Sequence, residues 1–246
     1  MNVSKPAMTA RPPSTAFIGT AASLAVIGGW GLHLALLLTT QTTLSWWTPL
    51  SFLLQTFLHT GLFIVAHDAM HGSVAPGWPR LNRGIGQLSL LLYALFPLRA
   101  LQQAHRVHHR APATDEDPDH TGGRALSYSR WYLRFMLEYL RWYQIVGLAA
   151  IFNILNHLAG IPTIVLIVYW VGPSLLSTFQ LFTFGTYLPH RIPDGGHADH
   201  HGTRSSNWPA WLSFLTCYHF GYHWAHHEYP SVPWWRLPKF HRIHDP

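Results

Sequence analysis

Charged positions vanish from two long stretches of this chain: residues 12–67 and 142–190 contain no Asp, Glu, Lys or Arg. Apolar residues run through both without the alternation of a half-buried strand or the broad polar face of a surface helix. A helical bilayer crossing needs about 20 apolar residues, so each stretch holds two crossings and a turn. The pattern predicts four spans, at about 17–38, 49–66, 144–159 and 161–181. Gly160 and Pro162 form a tight break between the last two. Gly172 and Pro173 predict a kink in the fourth, tolerable where neighbouring helices or water satisfy the freed carbonyls. Residues 1–16 read as a flexible tail. The stretch 17–38 exceeds the apolar region of a secretory leader and lacks a clear A-x-A site, so it is read as an uncleaved first span.

The other half of the chain is polar. Its apolar piece 84–98 is too short for an untilted crossing, so it enters and returns or lies at the interface. In 129–143, Arg130, Arg134 and Arg141 fall on one side and Trp131, Phe135 and Trp142 on another, the pattern of an interfacial amphipathic helix. With four spans, the N-terminus, the segment 67–143 and the tail from His190 share one side of the membrane. All 16 Lys and Arg fall on it. That asymmetry predicts a cytoplasmic polar side. The expected architecture is an all-α integral membrane protein: a four-span helix bundle with a cytoplasmic, histidine-rich helical cap, forming one domain over 1–246.

Composition agrees, with 48% hydrophobic and only 11% charged residues where an ordinary soluble domain has about 25% charged. The net charge of +6 comes without a basic stripe interleaved with aromatics, so no nucleic-acid partner is expected. Cys217, the one cysteine, excludes an internal disulfide and any CxxC site.

Nineteen histidines carry the chemistry, through their spacing. His67 and His71 stand at i, i+4; His105, His108 and His109 at i, i+3, i+4; His223, His226 and His227 repeat the second pattern. Such positions share one face of a helix, so each group aims its nitrogens at one point. Neutral imidazole is the commonest protein metal ligand. Eight aligned imidazoles exceed the needs of one four-coordinate zinc site, so two metals are expected; ligand type alone admits zinc, copper, iron or nickel.

HDAMH, HRVHH and HWAHH resemble the three histidine boxes of the membrane fatty-acid desaturase/hydroxylase superfamily, non-haem di-iron enzymes that activate O2. More narrowly, HDAMHG, HRVHH with DEDPDH, FGTYLPHR and CYHFGYHWAHHEYPSVPWWRLP resemble the bacterial β-carotene ketolases, from about residue 63 to 237. The resemblance implies a four-span bundle with a cytoplasmic cap in a bacterial cytoplasmic membrane. It implies two Fe ions held by His67, His71, His105, His108, His109, His223, His226 and His227, with His190 as a further ligand, and O2 as co-substrate. The implied reaction converts C4 of a β-ionone ring to a ketone by two hydroxylations and loss of water, taking β-carotene to echinenone and canthaxanthin, or zeaxanthin toward astaxanthin. Substrate would enter from the lipid. A separate donor, such as a ferredoxin or a reductase, would supply electrons, since no flavin, haem or iron–sulfur motif is present.

Around the boxes, Asp68 and Asp117 are expected to accept hydrogen bonds from the ligands; His219, four residues before His223, could face the metals or donate to a ligand from behind, with a structural role favoured over either. Asp115, Glu116 and Asp119 read as solvated loop acids, while Glu228 could act as Asp68 does. Residues 197–201 also spell HxxHH, but the flanking glycines argue for a surface loop. His33, His59 and His157 fall within spans; His120, His241 and His244 look peripheral. Trp234 and Trp235 are candidates to line a polyene channel. The rival readings are a carotenoid ring hydroxylase or fatty-acyl desaturase of the same superfamily and, from another class, a membrane metal carrier. A carrier calls for ligands strung along the spans, whereas the boxes gather on one side.

Overall fold

The computed structural model describes residues 13–120, 126–192, 196–197 and 200–244; the expected tail lies outside it except for its last four residues, which are helical. Among the described residues the chain is helical, without strands. Helix α1 (Pro13–Thr40) is free of charged residues, and the hydroxyls of Thr39 and Thr40 in its last turn donate back to the carbonyls of Ala35 and Leu36 at 2.7 and 2.6 Å. Helix α2 (Thr48–Met70) starts with Pro49 in its first turn, where a missing N–H costs nothing. It runs past the expected end at 66 because nothing breaks it before Gly72, which adopts φ +72°.

Helix α2 is the hub of the fold. The C-terminal half of α2 is buried, with α1, α3 (Pro79–Ala94) and α7 (Thr163–His190) packed around it. Close approach is bought with small residues. A Cβ on Gly61 would stand 2.5 Å from the Tyr218 hydroxyl, and one on Gly19 would stand 2.2 Å from the carbonyl oxygen of Val74. Trp30, Leu62, Ile64, Tyr93, Leu181, Tyr218 and Phe220 form the largest buried cluster.

The apolar piece 84–98 is resolved as α3 followed, after Leu95 in the left-handed region, by α4 (Leu98–Arg110), with the two axes bent by 98°. Helix α5 (Tyr128–Tyr139) ends sooner than expected. Arg141 caps a new helix, α6 (Trp142–Asn153), through a bond from its N–H to Gln144 at 2.8 Å. Arg141 and Trp142 therefore do not belong to the amphipathic helix, whose Arg130 and Arg134 are exposed and whose Trp131 is buried.

Among the described residues, three helices are long and apolar enough to cross a membrane, over Thr15–Thr40, Thr48–Met70 and Thr163–His190, or four if the bent pair α3–α4 counts as one. The expected third span corresponds to α6 and the wider turn Ile154–Leu158 that continues it, and is shorter than these. The fourth runs on to His190 rather than ending at 181. Its expected kink at Pro173 is absorbed within one continuous helix. The wide turn Ile167–Val171 immediately before it accommodates the missing N–H and the ring. The remainder is short: α8 (Ala210–Cys217), α9 (His223–Glu228), a tight turn at Trp234–Arg236 and α10 (Leu237–His244).

Candidate metal centre

Four chain segments deliver the histidines. The last turn and cap of α2 carry His67 and His71, α4 carries His105, His108 and His109, α7 ends on His190, and α9 carries His223, His226 and His227. They assemble as two groups. His67, His71, His105, His109 and His226 form one, and His108, His190, His223 and His227 the other; within each, one donor atom per residue lies within 4.8 Å of every other.

The spacing of these atoms suits metal ions. Nε2 of His105 stands 2.8 Å from Nε2 of His71 and 3.1 Å from that of His109, which is 3.0 Å from Nε2 of His226. In the second group, Nε2 of His227 stands 3.1 Å from that of His108 and 3.2 Å from that of His223. A ring nitrogen offers one proton or one lone pair, so a chain of such approaches is poorly satisfied by hydrogen bonds alone. With metal–nitrogen bonds of about 2.0–2.1 Å, the edges of an octahedral or tetrahedral coordination polyhedron come to about 2.8–3.4 Å, which spans the separations found.

Two tautomers are set from behind. The Nδ1–H of His190 donates to the carbonyl of Gly202 at 2.9 Å, leaving its buried Nε2 without a hydrogen-bond partner and facing the group. The Nδ1–H of His108 donates to both oxygens of Asp117, at 2.9 and 3.0 Å. Burial, then the positive charge its neighbours would carry, holds His223, His226 and His227 well below the usual imidazole range; burial takes His71 down to about 4. They are thus neutral lone-pair donors at physiological pH. Burial alone would raise Asp117. The bond from His108 and the N–H groups of Ala113 and Asp119 outweigh it and bring the carboxyl below its ordinary value.

The other expected partners sit elsewhere. Asp68 lies 3.8 Å from Nδ1 of His67, outside hydrogen-bond reach, and one of its carboxylate oxygens accepts the Trp234 N–H at 3.2 Å instead. His219 is not brought to the histidine groups; its ring packs against Phe214, Tyr222 and Trp234. Trp235 stands edge-on to Trp234.

A cavity of about 130 Å³ opens beside the histidines, with His67, His105, His108 and His223 in its wall and Phe63, Phe96 and Phe220 among its apolar lining. A second, of about 360 Å³, runs on toward Leu148, Phe152 and Trp170. The two share Tyr93, Ala94, Met136, Leu140 and Thr178. Neither Trp234 nor Trp235 lines them; Trp234 packs against Phe214 of α8 and against Tyr218.

Three groups read from the sequence as peripheral are interior. Asp119 is on the cavity wall, bonded to the Tyr139 hydroxyl. His120 is buried edge-on to Trp131. His201 is buried and paired with Glu228 at 2.8 Å, beside His227, although His200 next to it is exposed. Within the spans, His33 bonds Gln55 at 2.7 Å and His59 accepts from the Trp30 indole at 3.1 Å. His157 is exposed near the Gly160 turn, and His241 stacks on Tyr222. The side chain of His244 lies outside the described residues.

A model of the family described as fatty acid desaturase matches residues 44–155 and 136–246. The chain belongs to the fatty acid desaturase family. Within it, the chain is 48% identical over 189 residues to the beta-carotene ketolase of Paracoccus sp. (strain N81106 / MBIC 01143), covering 76% of each protein. A second beta-carotene ketolase, from Paracoccus sp. (strain PC1), is 46% identical over 185 residues and 75% of each. The zeaxanthin 4-ketolase of Chlamydomonas reinhardtii is 38% identical over 249 residues, 95% of this chain and 55% of that protein.

Proposed function

We infer that this desaturase-family chain is an oxygenase that introduces a keto group at C4 of the β-ionone rings of carotenoids. The observation that carries the reading is the apolar cavity opening onto two groups of histidines in a chain 46–48% identical to beta-carotene ketolases. A purely apolar ring and polyene need a greasy wall and an oxidising centre, and here the two are adjacent. A metal carrier has no use for that wall.

Two Fe ions, held by His67, His71, His105, His109 and His226 and by His108, His190, His223 and His227, would supply the activation of O2. The remaining tasks fall to the protein. Asp117 and the Gly202 carbonyl hold the rings of His108 and His190 so that Nε2 faces inward. Phe63, Phe96, Phe220 and Leu101 exclude water and position the ring; a misplacement of about 1 Å can cost about a hundredfold in rate. Each of two turnovers replaces one C4–H by C4–OH, consuming one O2, two electrons and two protons and releasing one water; the geminal diol then loses water to give the ketone. The electrons come from a separate donor, a ferredoxin or a reductase. We take residues 1–246 as a single domain, with the histidines and both termini on the cytoplasmic side of a bacterial membrane. The restriction of Lys and Arg to that side supports the orientation.

Expression in bacteria that accumulate β-carotene tests the reading. Extracted pigment is expected to gain one and then two C=O groups by mass, and His108→Ala to abolish the gain. Added hydroxyls without C=O would make the chain a ring hydroxylase instead. Unchanged β-carotene from folded, iron-loaded protein would overturn the assignment in favour of acyl substrates.

A further inference from the structure

Two hydroxylations at one carbon pose a problem the apolar wall does not solve: the singly hydroxylated ring must keep the same carbon in place. Among the lining residues of the inner cavity there is one carboxylate, Asp119. Its backbone is clamped at both ends, the N–H donating to Asp117 at 2.9 Å and the carbonyl accepting from the Trp131 indole at 2.9 Å. The Tyr139 hydroxyl, also on the cavity wall, donates to Oδ1. Oδ2 stands 3.7 Å from Nδ1 of His108 and accepts no hydrogen bond from the described residues. Of the hydroxyls in the wall, that of Tyr93 accepts from Ser177 at 3.4 Å, and that of Thr178 pairs with Tyr132 and the Leu175 carbonyl. Asp119 is therefore a fixed acceptor with one oxygen uncommitted, at the end of the cavity where the ring meets the histidines.

We propose that Asp119, held by Tyr139, accepts a hydrogen bond from the C4 hydroxyl formed in the first turnover and so retains and orients that ring for the second, committing the enzyme to a ketone rather than an alcohol. The proposal rests on the ketolase reading. β-Carotene carries no oxygen and cannot use the contact, so its first hydroxylation proceeds without it.

The test is the ratio of 4-keto to 4-hydroxy product in cells making β-carotene, for the unsubstituted chain, Asp119→Asn and Tyr139→Phe. Loss of a charge-assisted acceptor is expected to lower the ratio about tenfold in Asp119→Asn, with a smaller shift of the same sign in Tyr139→Phe, which keeps the carboxylate but unties it. In purified enzyme, KM for 4-hydroxylated substrate should rise while KM for β-carotene does not. If Asp119→Asn fails to accumulate, Tyr139→Phe carries the test. An unchanged ratio in the accumulating variants, whether total conversion falls or not, overturns the proposal, because a structural role would lower both products alike. No C4 oxygen from the unsubstituted chain overturns the ketolase reading and this contact with it.

Discussion

Replacing Asp117 by Asn isolates what the carboxylate behind His108 contributes. Its side chain is fully buried, at 0% exposure, and accepts from His108 Nδ1 on both oxygens and from the N–H groups of Ala113 and Asp119. An amide of the same shape keeps one acceptor oxygen and turns an NH2 toward a donor, so one side of this set is left facing a second donor. Loss of such a partner costs about 10–100-fold in metal affinity, or about 1.4–2.8 kcal/mol, through the freed orientation and lowered basicity of the ligand ring. The assay is a competition for iron between purified protein and a chelator, followed as metal content. Asp117→Asn should release the iron of the His108 group at a chelator concentration ten or more times lower than the unsubstituted chain does. Equal iron retention by the two proteins would refute the idea that Asp117 acts on the metal through His108.

Gly61→Ala places a methyl group 2.5 Å from the Tyr218 hydroxyl and 2.7 Å from Val26; overpacking of this kind costs about 1–3 kcal/mol, to be read as a lower thermal midpoint in detergent, and an unchanged midpoint would show that α2 does not need the small residue. Ala94→Phe fills the neck shared by the two cavities; conversion of a C40 substrate should fall at least about tenfold with iron content unchanged, whereas normal conversion would mean the polyene takes another route. Burial against Phe214, Tyr222 and Trp234 lowers His219 to about 4, below its value in the unfolded chain. The unfolded chain therefore takes up the proton first, and the contribution of His219 to stability, complete above about pH 6.5, is lost as the pH falls from there toward 4. His219→Asn, which suits the left-handed backbone at this position, should reduce the acid sensitivity of the thermal midpoint between pH 7 and 5; identical pH dependence in the two chains would contradict the argument.

What could be read from the chain alone followed how local the determining geometry is. The three boxes were legible because i, i+3, i+4 spacing on a helix is itself a statement about direction, and α2, α4 and α9 carry it. The same rule explains the failures. Asp68 is expected to accept from a ligand of the boxes, yet neighbours on a helix point about 100° apart; its carboxylate stands 3.8 Å from Nδ1 of His67 and accepts the backbone N–H of Trp234. His219, although four residues before His223, does not share its face, because α9 starts only at His223 and Tyr218 and His219 both take positive φ in the turn before it. Asp119 and His201 lie in segments whose reading as loops is sound, and the error was to equate a loop with the surface. The loop after α4 is drawn inward by groups far along the chain, Trp131 and Tyr139. Gly202, at φ +55°, lets its own loop settle against Ala113, where a Cβ would stand 2.8 Å from that residue's methyl. That closure puts His201 beside Glu228 and the Gly202 carbonyl on His190. Residues that bind through a helix face announce themselves by period; residues that orient those ligands from behind reach them by tertiary closure, which has no period to read.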